Sequence, residues 1–576
     1  MALLTDAQKA RHSIWQFKTM TDALSIRGYY RPFGKTGQAL ENCLKSLSPE
    51  IYGSMDDPRM VELKGLEYVI DRLPRGIEEC CRIVLTEEDP FESSPFEKIE
   101  PFKRRRTSYR ISQKEICFVI SRGLSEIYDI LTHLTFLYSE AKKIHQHMRD
   151  ESGGKTVEWR QFEEDLKTAE SIQGAALDRA LWNLSLILGR TFQETRDTYT
   201  YLEQNRQTHN SNNGLFVLIH QLGERIEQER TSKDNQIVIH LTPALMNIIG
   251  HQKYGKKWAE DLKARLLDLG LLDCPVHIIS ANLHSVVNTI YGSAALRNDP
   301  EFKENGDLYD CFDRMRDRRE EILGYAVQNG LHELADQSGT HIGCQIIDTA
   351  GLSDVVFNAA LGLTPPPENA DRSVIVVMDY AFGAQAFELM ENLLKAYSCG
   401  NTTRYLDVRS ISVMGKAGIL TGSKGDIILA TAHVFEGTSD NYRFENDLGA
   451  EDCSAKVDVY TGPMVTVLGT SLQNRDMLEK FQSDWKTVGL EMEGGHYQRA
   501  ISAAVIKGNI APEVKLRYAY YASDNPLKTG HTLAAGGLMR EGVKPTYMIT
   551  SIILKKIFDQ IAAGGPRLYE TTNYES

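Results

Sequence analysis

"VMGKAGILTGSKGDIILATAHVFEGTSDNY", residues 413–442, contains two β-branched and apolar runs, each leading into glycines or polar side chains. The strands it predicts, "SISVMGKAG" (410–418) and "GDIILATAHVFEG" (425–437), are apolar at successive positions instead of alternate ones. A strand of that kind is covered on both faces, so helices must lie on either side of the sheet. Working outward, further strands are expected at "SVIVVMDY" (373–380), "AKVDVYTG" (455–462), "GLEME" (489–493) and "LRYAYYASD" (516–524). Helices are expected at 383–398, 474–488, 494–509 and 544–564, where apolar residues recur at three- and four-residue steps. The fold class is α/β, with a mixed sheet flanked by helices in the C-terminal part. Ligands of such sheets bind beyond the carboxyl ends of strands, which gives weight to the polar residues found there.

Two further regions precede this one. Residues 1–230 read as a helix-rich domain, most clearly over 113–150, "QKEICFVISRGLSEIYDILTHLTFLYSEAKKIHQHMRD". Residues 231–363 read as a small α/β domain with strands at "NQIVIHL", "PVHIISANL" and "HIGCQIIDTAG" and a helix at "KKWAEDLKARLLDLGL". The proline-rich "LTPPPENADRS" (363–373) is the expected connector to a third domain, 372–576.

With 576 residues, 42% of them hydrophobic, the chain can bury more than one core. Its net charge of -13, from 65 basic and 78 acidic residues, excludes a global attraction to nucleic acid or anionic membrane. Nine scattered cysteines without a CxxC spacing are those of a reducing compartment, and no apolar run of bilayer length appears, so a soluble cytoplasmic protein is expected.

Three apparent motifs do not hold. "GYYRPFGKTGQ" (28–38) has five residues between Gly28 and Gly34 where a P-loop has four, and no strand precedes it. "DTAG" (348–351) is a strand end and turn. His145 and His147 of "HQH" lie two apart on a helix and face different ways. The basic run "FKRRRTSYR" (102–110), with Lys103, Arg104, Arg105, Arg106 and Arg110, is either a charged face paired with acidic neighbours or a clamp for a ligand phosphate.

In the C-terminal part, four strand ends carry polar groups together. They are the Gly415-Lys416-Ala417-Gly418 turn; Glu436, Thr438, Ser439 and Asp440; Glu491 and Glu493; and Asp524 in "YASDNP". Their order and context resemble the nucleoside phosphorylase and nucleosidase superfamily, and within it the AMP nucleosidases, over about residues 372 to 563. The resemblance implies a nucleoside phosphorylase-like sheet and cleavage of an N-glycosidic bond of a purine nucleoside or nucleotide, without metal or organic cofactor. It implies that Asp524 protonates or hydrogen-bonds N7 of the leaving purine, with Ser523 and Pro526 holding its turn. Glu493 then accepts from the ribose hydroxyls and favours the developing cation, with Met492 beneath the sugar and Glu491 beside it.

Asp379, at the end of the first strand, takes the place of a residue that contacts phosphate or activates water. A carboxylate there favours hydrolysis over phosphorolysis, as does Val413 where the phosphorylases have an arginine. Lys416, Thr438, Ser439 and Arg443 are the candidates for a 5′-phosphate, Gly415, Gly418 and Glu436 line the ligand, and Tyr460 and Thr461 line the base pocket. The two glycines after Glu493 are expected to bend the chain around a ligand. His496 departs from the small residues usual in the family and either faces the pocket or packs at a helix start.

The expected function is hydrolysis of an AMP-like purine nucleotide to free base and ribose phosphate by a homo-oligomer. The alternatives are a purine nucleoside phosphorylase, using phosphate, or a nucleosidase acting on nucleosides or ATP. A purine-nucleotide sensor without turnover is the reading from another class.

Overall fold

The structure is a computed structural model that describes residues 4–87, 93–104, 106–167, 173–243, 245, 252–299, 302, 308–367, 369–399, 402–453, 457–528 and 542–564. The chain forms two compact units, Met1–His251 with Gly469–Met477, and Gln252–Leu468 with Leu478–Ser576.

In the first unit, strands β1 (Tyr29–Tyr30), β2 (Arg82–Thr86), β3 (Glu97–Lys98), β4 (Thr107–Ser112), β5 (Glu115–Val119) and β6 (Val238–Leu241) form one sheet in the order β1-β6-β2-β5-β4-β3. The helical reading of 113–150 is thus corrected at its start. "EICFV" is β5, an apolar run that pairs antiparallel with β4 and parallel with β2, and the helix begins only at Gly123. "IVIHL" is corrected too: β6 lies parallel to β2 in this unit and does not open a middle domain.

The basic run is absorbed within the same unit. Arg106 donates to Asp129 at 2.7 Å and to Glu126 at 3.3 Å, and Arg104 reaches Asp129 at 3.3 Å. Lys103 pairs with Asp71 at 2.6 Å, and Arg110 donates to the Arg75 carbonyl. Arg106 is buried and Asp129 with it, so these arginines neutralise carboxylates on the long helix Gly123–Met148. The phosphate-clamp reading is therefore corrected for Arg104 and Arg106; Arg105 lies outside the described residues. His145 binds Glu227 while His147 binds the carbonyls of Ile187 and Pro58, so the two diverge as helix geometry requires.

The second unit holds β7 (Pro275–Ser280), β8 (Leu331–Leu334), β9 (Cys344–Asp348), β10 (Val374–Met378), β11 (Tyr397–Cys399), β12 (Thr402–Arg404), β13 (Asp407–Ile419), β14 (Ile427–Phe435), β15 (Asn441–Arg443), β16 (Val459–Thr466), β17 (Gly489–Glu491) and β18 (Lys515–Asp524). Strands β11 and β12 form a separate hairpin; the other ten make one mixed sheet. Because β10 runs parallel to β7 and antiparallel to β9, the expected domain boundary at 364–371 falls inside a single sheet, and the separate 231–363 domain is corrected. The described residues of the proline-rich segment form a loop within this unit.

The double-sided pattern of the strands is explained by two cores. Val374, Val376 and Met378 face one, with residues of the helices Lys253–Asp268, Gln385–Leu393 and Gly494–Ile506. Ile375 and Val377 face the other, with the helix Val543–Ala563. Within the sheet, β13, β18, β14, β16 and β17 close on themselves: β18 joins β13 to β14, and β17 joins β16 back to β13. Strand β13 runs through the Gly-Lys-Ala-Gly segment, so the turn expected there is a strand instead. Close backbone approach is required at Gly489 of β17, where a Cβ would stand 2.6 Å from the Gly418 carbonyl oxygen.

Candidate functional site

The carboxyl ends of β7 and β10 lie level, with Ser280 beside both Met378 and Val413, and β13 runs on past them to Ile419. Beyond them the chain places Asp379, Tyr380 and Gly415. Gly415 leaves open the space that a side chain would fill: a Cβ there would lie 3.7 Å from the Tyr380 ring and 3.9 Å from the Tyr520 ring, ordinary contact distances. Asp379 is half-buried; its carboxylate accepts from the Tyr380 N–H at 2.9 Å, and its own N–H donates to the Gly343 carbonyl at 3.0 Å.

Glu493 reaches this place from the link between β17 and the helix Gly494–Ile506. Its carboxylate accepts from the Gly383 N–H at 2.9 Å, which ties the end of the "EME" segment to the loop after β10. Gln385, buried at 1% exposure, orders that loop by accepting from the Phe382 N–H at 3.1 Å. Met492 is buried beside Glu493.

Glu491 is turned inward and has a different task, which corrects its assignment to the substrate. Its carboxylate accepts from Thr466 Oγ1 at 2.6 Å, from the Glu493 N–H at 2.5 Å and from the Gly494 N–H, and lies 3.4 Å from His433 Nδ1. Burial pushes its carboxyl up, but His433, Thr466 and the Gly494 N–H outweigh burial and hold it below the usual range. The result is a charged cap on the helix Gly494–Ile506, satisfying N–H groups that a helix start leaves open. The two glycines follow from the same packing. A Cβ on Gly494 would collide with Tyr520 Oη and His433, and one on Gly495 with Thr466 and Phe435. They let the helix settle on the strands and do not bend the chain round a ligand. His496 packs edge-on against Phe435, with ring centroids 5.0 Å apart.

Asp524 ends β18. An extra residue, Ser523, bulges there, so that Asp524 comes beside Gly418, whose other strand neighbour is Leu490. Strand β13 is thus the common neighbour of the two strands that carry the "EME" and "SD" motifs. Asp524 is 4% exposed and accepts from Ser523 Oγ at 2.5 Å, while Asn525 anchors the turn through the Gly422 carbonyl at 2.9 Å.

The remaining candidates are more scattered. Glu436 is fully buried and accepts from the Leu468 N–H at 2.9 Å. Thr438 exchanges hydrogen bonds with Asp440, donating to its carboxylate at 3.0 Å and accepting from its N–H at 3.2 Å, so its hydroxyl caps a turn. Ser439 and Arg443 are exposed on the same hairpin, and Lys416 is exposed on β13. Tyr460 packs beside Gly422 at the start of β16, and Thr461 beside it is exposed; Thr466, at the far end of that strand, is the one that meets Glu491. Gln385 was missed because only the folded turn shows what its amide orders.

The fold and site define a mixed α/β unit that carries the carboxylates of Asp379, Glu493 and Asp524 at or just beyond the ends of its strands. The chain belongs to a family of unknown function, DUF6909, whose model matches residues 38–321 and 308–559. No curated protein matches it. Among solved structures, it is similar to a 5′-methylthioadenosine/S-adenosylhomocysteine nucleosidase from Helicobacter pylori, at 13% identity over 50% of this chain and 98% of that one, with a TM-score of 0.28. A purine nucleoside phosphorylase from Toxoplasma gondii gives 15% identity over 50% and 93%, with a TM-score of 0.28. The Campylobacter jejuni nucleosidase gives 11% over 50% and 100%, with a TM-score of 0.30. Among the described residues, no helix is long and apolar enough to cross a membrane.

Proposed function

We propose that the second unit hydrolyses the N-glycosidic bond of a purine nucleotide, releasing the base and ribose phosphate. The observation that carries this reading is the place of β13, with the Glu493 segment on one side and Asp524 on the other. Together with the resemblance of these motifs to the nucleosidases, it gives each carboxylate a role. Asp524 delivers a proton to the departing base, a task suited to a carboxyl sheltered from water. Glu493, oriented by the Gly383 N–H, holds the ribose hydroxyls and offsets the positive charge that grows on the sugar. Asp379 takes the proton of the attacking water. Its negative charge would repel a phosphate nucleophile, and the buried Val413 provides no cation to hold one.

Incubating the protein with AMP, ATP, adenosine and inosine, with and without phosphate, and following free base tests reaction and substrate together. Base release from AMP, independent of phosphate, is expected, and Asp524→Asn should lower it by roughly 10²-fold or more while the fold persists. Tight nucleotide binding without base release from any substrate would leave a sensor, and wild-type rates in Asp524→Asn would remove that residue's role.

A further inference from the structure

In the basic run of the first unit, Arg104 and Arg106 meet carboxylates, whereas Arg110 does not. Its guanidinium donates to two neutral oxygens, the carbonyls of Arg75 and, at 3.4 Å, Gln113. Arg75 is held in the same manner, by the side-chain oxygens of Asn210 and, at 2.7 Å, Asn213. Among the described residues, neither guanidinium forms an ion pair with a carboxylate. A guanidinium has five N–H donors, so each keeps donors beyond the two that these oxygens take.

Both arginines line one cleft of about 590 Å³, beside the β3–β4 pair, the turn at Gly76 and the chain after the helix Phe192–His209. Their places in it are built. Arg110 lies against Gly76, where φ is 79° and a Cβ would collide with Arg110 Nη2. Asn213 fixes Arg75, because its oxygen accepts from the guanidinium while its amide N–H groups donate to buried Glu78 at 2.8 Å and to Glu79 at 3.3 Å.

Carboxylates line the same cleft. Glu97 stands opposite Arg110 in the β3–β4 pairing, and its exposed carboxylate has no hydrogen bond or ion pair among the described residues. Glu79 meets the Asn213 amide and no cation, while Glu100 is already paired with Lys98 at 3.1 Å. Two guanidiniums without a carboxylate thus share the cleft with two carboxylates without a cation. A simple anion would be drawn by the arginines and repelled by the glutamates, whereas a ligand bearing both signs satisfies both.

We propose that this cleft binds a zwitterion, an amino acid or short peptide, with its carboxylate on Arg75 and Arg110 and its ammonium on Glu97 and Glu79. Guanidinium groups match the two oxygens of a carboxylate, and the volume suits a small ligand.

Calorimetric titration of the full chain tests this with each of the protein amino acids, with triglycine and trialanine, and with acetate and inorganic phosphate as purely anionic probes. Binding of at least one zwitterion, and not of acetate or phosphate, is expected; whether an amino acid or a peptide binds tells the two sources apart. Arg110→Gln and Glu97→Gln should each weaken that binding roughly tenfold or more. Glu97→Gln should do so at unchanged Tm, since the side chain is exposed on an edge strand, which separates loss of contact from unfolding. No binding by any zwitterion overturns the proposal, as does unchanged affinity in either variant. Acetate or phosphate binding as tightly as the best zwitterion also overturns it and would leave a simple anion site.

Discussion

Two glutamates separated by one methionine take opposite parts. Glu491 is enclosed by Thr466, His433 and two backbone N–H groups, whereas Glu493 reaches Gly383. Exchanging Glu491 for glutamine keeps the shape but removes the charge that those donors meet. The expected cost is about 3 kcal/mol of stability, seen as a lower Tm. The wild-type contribution is present above the usual glutamate range and is lost as pH falls through the lowered folded value. A raised KM for nucleotide without a lower Tm would return Glu491 to the substrate. The motif was legible in the sequence, but the division of labour was not. Strand alternation places both carboxylates on one face, and only the helix that starts at Gly494 draws the first of them away as its cap.

Elements were legible where their pattern was local. The strands at 374–378 and 427–435 follow from runs of Val, Ile and Ala. β5 was hidden because its apolar run continues toward the long helix at 123–148, whereas β6 was legible as a strand but not its unit, because its partner β2 lies about 150 residues earlier in the chain. That helix carries a testable charge of its own. Glu140 is fully buried, and burial pushes its carboxyl up to about 7, despite Lys143 at 3.0 Å and the Glu62 N–H at 2.8 Å. A group whose pKa is raised on folding favours the fold in its protonated form. Its contribution is therefore full below the ordinary value of 4.5 and declines as pH rises toward 7. Urea melts across that range should show this decline in wild type and a flatter dependence in Glu140→Gln; parallel curves would show that Glu140 titrates alike in both states.

At the scale of the whole molecule, two units with separate cores should unfold in two steps. Arg106→Met leaves Asp129 and Glu126 partly unmatched in a buried site and should cost the first unit roughly 3–5 kcal/mol. Calorimetry should show one transition moved down and the other in place, with base release per folded molecule unchanged. A raised KM for nucleotide with both transitions in place would restore the clamp reading of this residue.

The closed ring of β13, β18, β14, β16 and β17 also sets a schedule for synthesis. β18 begins about 100 residues after β13, so the ring stays open until nearly all of the unit has emerged from the ribosome. During that interval β13 and β14 lack the strand that lies between them, and each presents unpaired N–H and carbonyl groups to whatever is near. The geometry that brings Asp524 to Gly418 is consequently among the last to form, and the nascent chain carries its greatest hazard of mispairing just before β18 arrives.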